Sequence, residues 1–260
     1  MGIQNITPDS FSDGGKYFID KLDLKKVIAD VLKMEKEGAD FIDIGGESTR
    51  PGAKEITIPE ELDRVIPVIS EIKKHSELPI SIDTYKSEVA EEALKAGAEI
   101  VNDISGFRFD ENIANVTAKY NATCVLMHIK GTPKDMQINP EYEDVIQEVF
   151  DYLIGSINIA KNTGVNQIIT DVGIGFGKSL EHNLELIKNL VKFKELNFPV
   201  LLGVSRKSFI DKISPLAVTE RLEGTIAANV AGILNGANII RVHDVLENKK
   251  AALIADKLKN

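Results

Sequence analysis

Residues 41–102 read FIDIGGESTRPGAKEITIPEELDRVIPVISEIKKHSELPISIDTYKSEVAEEALKAGAEIVN, and their pattern decides the fold. A short apolar run, Phe41-Ile42-Asp43-Ile44, gives way to Leu62, Val65, Ile66, Ile69 and Ile72 at i, i+3, i+4, i+7 spacing, the stripe of an amphipathic helix. Thr57 and Glu60 make a capping box ahead of it, with Pro59 in the first turn. A second apolar run, Pro79-Ile80-Ser81-Ile82, follows, then more helical spacing, then a third run, Glu99-Ile100-Val101.

The alternation continues in both directions. Residues Gly2 to Ile6 form an earlier run, and Ala122 to Met127, Gln167 to Thr170, Pro199 to Leu202 and Asn238 to Ile240 form later ones. All are short and mostly apolar on both faces, as buried parallel strands are. Between them, a helix is expected from Tyr142 to Lys161, with Val145, Ile146, Val149, Leu153 and Ile157 on one side and a stop near Gly164. Another starts at Ser179, a good N-cap, with Leu180, Leu184, Ile187 and Val191 inward. The stretch from Gly224 to Gly236 carries no charge and is expected to be largely buried; Val245 to Lys257 forms the last helix. Strand and helix alternating eight times in 260 residues predict an α/β fold, a (β/α)8 TIM barrel forming one domain over residues 1–260, with a doubly wound sheet as the alternative. The first strand lies at the extreme N-terminus, so closure of the barrel is expected to be weakest there.

A net charge of −9 argues against nucleic acid as a partner, because phosphate contacts need clustered Lys and Arg. No apolar run approaches the ~18 residues needed to cross a bilayer, so no membrane partner is expected. MGIQNITPDSFSD lacks the basic flank and apolar core of a signal peptide. The one cysteine, Cys124, cannot make an intrachain disulfide, and with four scattered His there is no zinc-like cluster. These features suit a reducing cytoplasm.

In such a barrel, functional groups stand at the C-terminal ends of the strands. Polar residues occur there after every run: Asn5, then Glu47-Ser48-Thr49-Arg50, Asp83, Asn102, Met127-His128, Asp171, Ser205-Arg206-Lys207 and Arg241-x-His243. Taken singly, many fit ordinary loop starts and helix caps. Together, Asp83, Asn102, Asp171 and Lys207 suit a flat heterocycle with N–H donors on one edge and a carbonyl on another. Arg50, Arg241 and His243 suit a diphosphate, and Asn5 a Mg2+ ion bridging it. GIGFGKS at 173–179 resembles a phosphate loop, but Val172 and Lys178 stand where the two glycine fingerprints need glycine. Its glycines instead allow a tight turn against a flat ligand, with Phe176 in the pocket wall. Residues Thr7 to Leu22, containing TPDSFSDGGKYF, are long for a strand-to-helix loop and are expected to act as a lid.

Four stretches then carry a resemblance: NITPDSFSDGG, DIGGESTRPGA, SIDTYKSEVA with VNDISG, and GIGFGK with SRKSF and IIRVHDV. Together they resemble the dihydropteroate synthase family almost end to end. The resemblance implies a barrel, a homodimer, Mg2+, and an enzyme that joins a pterin methyl diphosphate to 4-aminobenzoate and is the target of sulfonamides. It places Asp83, Asn102, Met127, Asp171, Phe176 and Lys207 at the pterin, and Asn5, Arg241 and His243 at the diphosphate, with Asn5 at the metal. It places Phe11, Thr49, Arg50, Pro51, Ser205 and Lys207 around the aminobenzoate. Asp13, Lys207, Arg241 and His243 are then the catalytic candidates. Two positions depart from the family pattern: Val172, where proline is usual, and Gln4, where an aliphatic residue is common. The alternatives are a pterin-binding domain of a corrinoid-dependent methyltransferase, which has no need for the diphosphate residues, and a non-catalytic pterin-binding paralogue.

Overall fold

In a computed structural model, which describes residues 1–7, 22–50 and 52–259, eight parallel strands pair in sequence order. They are β1 (Gly2–Asn5), β2 (Ile42–Gly45), β3 (Ile80–Asp83), β4 (Ile100–Asp103), β5 (Thr123–Met127), β6 (Ile168–Asp171), β7 (Val200–Leu202) and β8 (Ile239–Ile240). The expected TIM barrel is what forms. The seam expected to be weak is closed: Gly2 bridges Val242 in parallel, Ile3 N–H donates to Val242 O at 2.9 Å, and Val242 N–H donates to Met1 O at 3.0 Å. The α-amino group of Met1 adds a bond to Ile240 O at 3.0 Å.

The helices are α1 (Leu24–Lys36), α2 (Ile58–Ile72), α3 (Ser87–Lys95), α4 (Ile113–Lys119), α5 (Val145–Thr163), α6 (Leu180–Lys188), α7 (Ser208–Ile213), α8 (Leu222–Leu234) and α9 (Val245–Leu258). The capping box before α2 is present, and the Ser179 side chain caps α6. Val191 is not inward, contrary to the periodicity. The α-helix ends at Lys188 and the chain goes on as a 3-10 helix, Leu190–Leu196, whose tighter turn buries Leu190 and Phe193 and leaves Val191 60% exposed. The charge-free stretch 224–236, most of it in α8, is also less covered than expected: Ala227, Ala231 and Leu234 face outward.

Side chains alternate along each strand. Ile42, Ile44, Ile80, Ile82, Val101, Cys124 and Leu126 point to the helices and form the main core. Met1, Ile100, Val125, Ile169 and Leu201 point inward and form an apolar floor inside the barrel. Gln4 shares the helix-facing side of β1 with Gly2, whose side-chain position looks toward Met34 and Val245. Gln4 is buried, and neither of its amide atoms has a hydrogen-bond partner. A buried amide left unpaired costs about 1–3 kcal/mol. Gln4→Leu is therefore expected to raise stability by about that amount, read as a higher urea midpoint at unchanged m-value; an unchanged or lower midpoint would show that Gln4 is satisfied in solution.

Candidate active site

Above the apolar floor, the inward positions turn polar at the ends of the strands. Strand register brings Asn5 beside Gly45, Gly45 beside Asp83, Asp83 beside Asn102, and Met127 beside Asp171. Gly45 has no side chain, so the Asn5 amide oxygen and the Asp83 carboxylate flank the space that a Cβ there would occupy, at 3.6 and 3.7 Å from it.

Arg241, just past β8, is the hub. Its Nε donates to Asp43 Oδ2 at 2.6 Å and one terminal nitrogen donates to Asp83 Oδ2 at 2.7 Å. Asn102 Nδ2 donates to the other side of Asp43 at 3.3 Å. Asp43 is fully buried, so these bonds are what make its carboxylate tolerable inside the barrel. Burial pushes the Asp83 carboxyl up to about 7, with Arg241 pulling against it and Asp43 adding to the rise. The Arg241 guanidinium stays charged, and what it leaves to offer a ligand is its other terminal nitrogen.

Across the mouth, Asp171 and Lys207 flank Gly203: a Cβ there would lie 3.9 Å from Asp171 Oδ2 and 3.8 Å from Lys207 Nζ. Asp171 Oδ1 accepts the Gly173 N–H at 2.7 Å, and burial raises its carboxyl. Lys207 donates to the Ile174 carbonyl and lies over the Phe176 ring at 4.7 Å from its centroid. Burial pushes its ammonium down to about 8, against the pull of Asp171.

The loop from β6 to α6 is held from beneath. Gly173, Gly175 and Gly177 all have positive φ, and a Cβ on Gly173 would sit 1.9 Å from His128 O. The Lys178 ammonium, fully buried, binds Gly173 O and Phe176 O at 2.9 Å each and His128 Nδ1 at 2.8 Å. Burial, together with the charge of Lys178, pushes the His128 imidazole down to about 2, so it accepts as a neutral ring. Gln137 Nε2 and the Asn183 amide oxygen tie down the Gly175 carbonyl and N–H.

At the edge near β8, Ser205 Oγ lies 2.9 Å from His243 Nδ1 and accepts the His243 backbone N–H at 3.2 Å. The hydroxyl has its own proton to give, and in the neutral ring whose Nδ1 accepts it the ring proton sits on Nε2. Burial and then Arg241 push this histidine down to about 3, so its ring is neutral. Arg206, next to the site, turns away to a paired contact with Asp244 at 2.5 and 3.0 Å. Thr49 and Arg50 lie on the loop between β2 and α2, and the charge of Arg50 is felt at His243.

The structure therefore gathers Asn5, Asp83, Asn102, Met127, Asp171, Phe176, Lys207 and Arg241 around one opening, with Ser205 and His243 on its rim. Phe11, Asp13 and Pro51 lie outside the described residues, as does most of the Thr7–Leu22 segment expected to be a lid. Sequence reasoning assigned nothing to Asp43 or to Lys178. A carboxylate inside an apolar strand was the available signal for the first.

A family model described as pterin binding enzyme matches residues 1–243. The dihydropteroate synthase of Clostridium beijerinckii is 50% identical over 259 residues, covering 98% of this chain and 92% of that one. A crystal structure of dihydropteroate synthase from Clostridium difficile in the presence of pteroic acid superposes with a TM-score of 0.92 at 47% identity, covering 100% of this chain and 96% of that chain. The Yersinia pestis dihydropteroate synthase, in complex with a sulfonamide drug, gives 0.94 at 38% identity, covering 99% of this chain and 92% of that one. With a polar barrel mouth of this composition and a family match across nearly its whole length, the chain belongs to the pterin-binding enzyme family.

Proposed function

We propose that this chain is a dihydropteroate synthase, condensing 6-hydroxymethyl-7,8-dihydropterin diphosphate with 4-aminobenzoate to give 7,8-dihydropteroate and diphosphate in folate biosynthesis. The observation that carries the reading is the mouth itself: Asp83 and Asn102 on one side, with Arg241 held between two carboxylates, and Asp171 beside Lys207 on the other. A diphosphate-binding corner beside an acidic, amide-lined pocket is more than pterin binding alone requires, which favours it over the methyltransferase and paralogue readings.

In this reading the pterin lies between Met127 and Phe176. Asp171 Oδ2 and Asp83 Oδ1 accept its ring N–H groups, Asn102 completes that edge, and Lys207 donates to its carbonyl. Arg241 and the Nε2–H of neutral His243 donate to the diphosphate. The methylene–oxygen bond breaks with its electron pair leaving on the diphosphate, so hydrogen bonds from Arg241 and His243 strengthen as the bond opens. The carboxylates around the ring offset the positive charge that appears on the pterin methylene. The amine nitrogen of 4-aminobenzoate then bonds to that carbon and sheds a proton. Thr49, Arg50, Pro51 and Ser205 border this second substrate, and Phe11 and Asp13 close over it; for Phe11, Asp13 and Pro51 the family resemblance alone supports the role. No protein nucleophile is needed, and Cys124, buried on the helix side of β5 with its thiol pushed up by burial, is not placed to be one.

Mg2+ fits this donor set. Among the described residues no group of three His, Cys, Asp or Glu stands ready to hold a metal. Mg2+ keeps several waters and takes substrate phosphate oxygens, so one amide oxygen, Asn5 Oδ1, is a sufficient anchor. When bound there, the ion supplies charge neutralisation to the leaving diphosphate. We further infer a homodimer in which a second copy covers the apolar face of α8 and α9, where Leu234, Leu253, Ile254 and Leu258 are exposed. Among the described residues no helix is long and apolar enough to cross a membrane; a cytoplasmic location is part of the proposal.

The test is a coupled assay of diphosphate release with both substrates and Mg2+. Wild type should form diphosphate and dihydropteroate together, and Lys207→Ala should lower kcat/KM by about 10²–10³-fold. Lys207 acts as the protonated ammonium, so activity should fall as pH rises through about 8. Lys207→Arg should carry that limb upward. No product from the wild type would end the proposal.

A further inference from the structure

The loop from β2 to α2, which carries Thr49 and Arg50, is stapled at both legs by one buried cation. Lys86, immediately before α3, sends Nζ to Glu47 Oε2 at 2.8 Å, to Glu61 Oε2 at 2.7 Å and to the Ile56 carbonyl at 2.8 Å. Glu47 Oε1 in turn accepts the Ile56 N–H at 3.2 Å. Glu47 stands where the loop leaves β2, Ile56 where it enters α2, and Glu61 on the first turn of that helix. The three side chains are nearly closed off from solvent, at 10% for Lys86, 7% for Glu47 and 1% for Glu61. Arg64 of α2 grips the same leg by donating to Gly46 O at 2.8 Å.

Three donors on one ammonium meet three acceptors, so the lysine is fully used and none of these bonds reaches Asp83, Asn102, Asp171 or Lys207. Without Lys86, two carboxylates face each other in a nearly dry space, which drives Glu47 and its leg of the loop away from α2. The part of this leg that moves carries Thr49 and Arg50. The pterin candidates stand at the ends of β3, β4, β5 and β6 and on the loops after β6 and β7, outside the stretch between β2 and α2; the charge of Glu61 is felt at Asp83, where it adds to the rise of that carboxyl.

We propose that Lys86 is a positioning residue for the second substrate: its clamp on Glu47, Glu61 and Ile56 fixes the loop in the shape that lets Thr49 and Arg50 meet an aromatic amine bearing a carboxylate, and leaves pterin binding alone. The inference rests on the dihydropteroate synthase reading. Its test is Lys86→Met in the full chain, with three readouts: KM for 4-aminobenzoate, Kd for the pterin diphosphate in the absence of the amine, and amide hydrogen exchange. KM for 4-aminobenzoate should rise about tenfold or more, as for a misplaced binding group, while the pterin Kd stays within about twofold. Exchange should quicken across residues 47–56 and hold steady in β4. Equal losses for both substrates would make Lys86 a general scaffold residue and overturn the proposal, and so would an unchanged KM. Should Lys86→Met fail to fold, Glu47→Gln keeps the side-chain volume and weakens one contact. It should raise the same KM by about two- to fivefold at constant pterin Kd, and no change would overturn the clamp. A wild type that turns nothing over sinks the functional reading instead. Exchange in residues 47–56 would then still decide whether Lys86 holds the loop, and unchanged exchange overturns that too.

Discussion

Arg241→Ala should lose about 3–5 kcal/mol of unfolding free energy together with nearly all turnover, because it strands two buried carboxylates at once. Asp43 is fully buried and Asp83 nearly so, and the guanidinium is the cation that meets both, at 2.6 and 2.7 Å. A chemical denaturation midpoint gives the first quantity, and kcat/KM for the pterin diphosphate gives the second. Loss of a preorganised donor to the departing diphosphate should lower kcat/KM by about 10²–10³-fold beyond any effect of partial unfolding. Arg241→Lys keeps a charge but cannot fork between two partners, so it should fall between wild type and alanine in both measurements. In the Ala variant the pull of Arg241 on Asp83 is gone, so this carboxyl, raised by burial, takes up its proton above the wild-type value of about 7, and stability should recover in part as pH falls into that higher range. An Arg241→Ala protein as stable as wild type at neutral pH would mean that Asp43 and Asp83 find other partners.

The second large effect belongs to a residue with no side chain. Gly173→Ala places a Cβ 1.9 Å from the His128 carbonyl oxygen at φ +68°, so the chain must move. Left-handed strain of about 1–2 kcal/mol adds to an overpacking cost of about 1–3 kcal/mol. The displaced segment carries the Ile174 carbonyl and the Phe176 ring, both of which touch Lys207. Pterin affinity should therefore drop along with stability, by about 10-fold or more. Gly164→Ala supplies the control: its φ is +91°, but nothing lies within 4 Å of the added carbon. That variant should show the strain of about 1–2 kcal/mol alone, with unchanged kinetics. Equal kinetic losses in the two variants would refute the role given to the loop.

The fold was legible because each strand is a short apolar run and each is followed by helical spacing, so local pattern and topology agree at every step. The placement of Asp83, Asn102 and Asp171 at the barrel mouth was legible for a related reason: each ends an apolar run, and in a barrel the ends of the strands share one face. Asp43 was not, since its meaning depends on Arg241, 198 residues away in sequence. Lys178 was hidden inside a glycine-rich motif whose obvious reading fails, and only the geometry shows that its ammonium holds two carbonyls of the turn. Val191 was misread because helical spacing was carried through a point where the helix type changes. The charge-free stretch 224–236 was read as buried, although the outward face of α8 is open in a single chain; apolar composition reports that a surface avoids water, not which molecule covers it. That the His243 ring is neutral could not be read from the sequence, because it follows from burial first and then from Arg241, Arg206 and Arg50 around it.

The seam between β1 and β8 joins residues 239 apart in sequence. Asn5 stands on one side of it and Arg241 on the other. A contact that distant is slow to form, because so much chain must be ordered before it is rewarded. The diphosphate corner proposed for Asn5 and Arg241 would thus be assembled only when the barrel shuts. On that proposal, an anionic ligand held by Asn5 and Arg241 binds only the closed ring and so favours it over open forms.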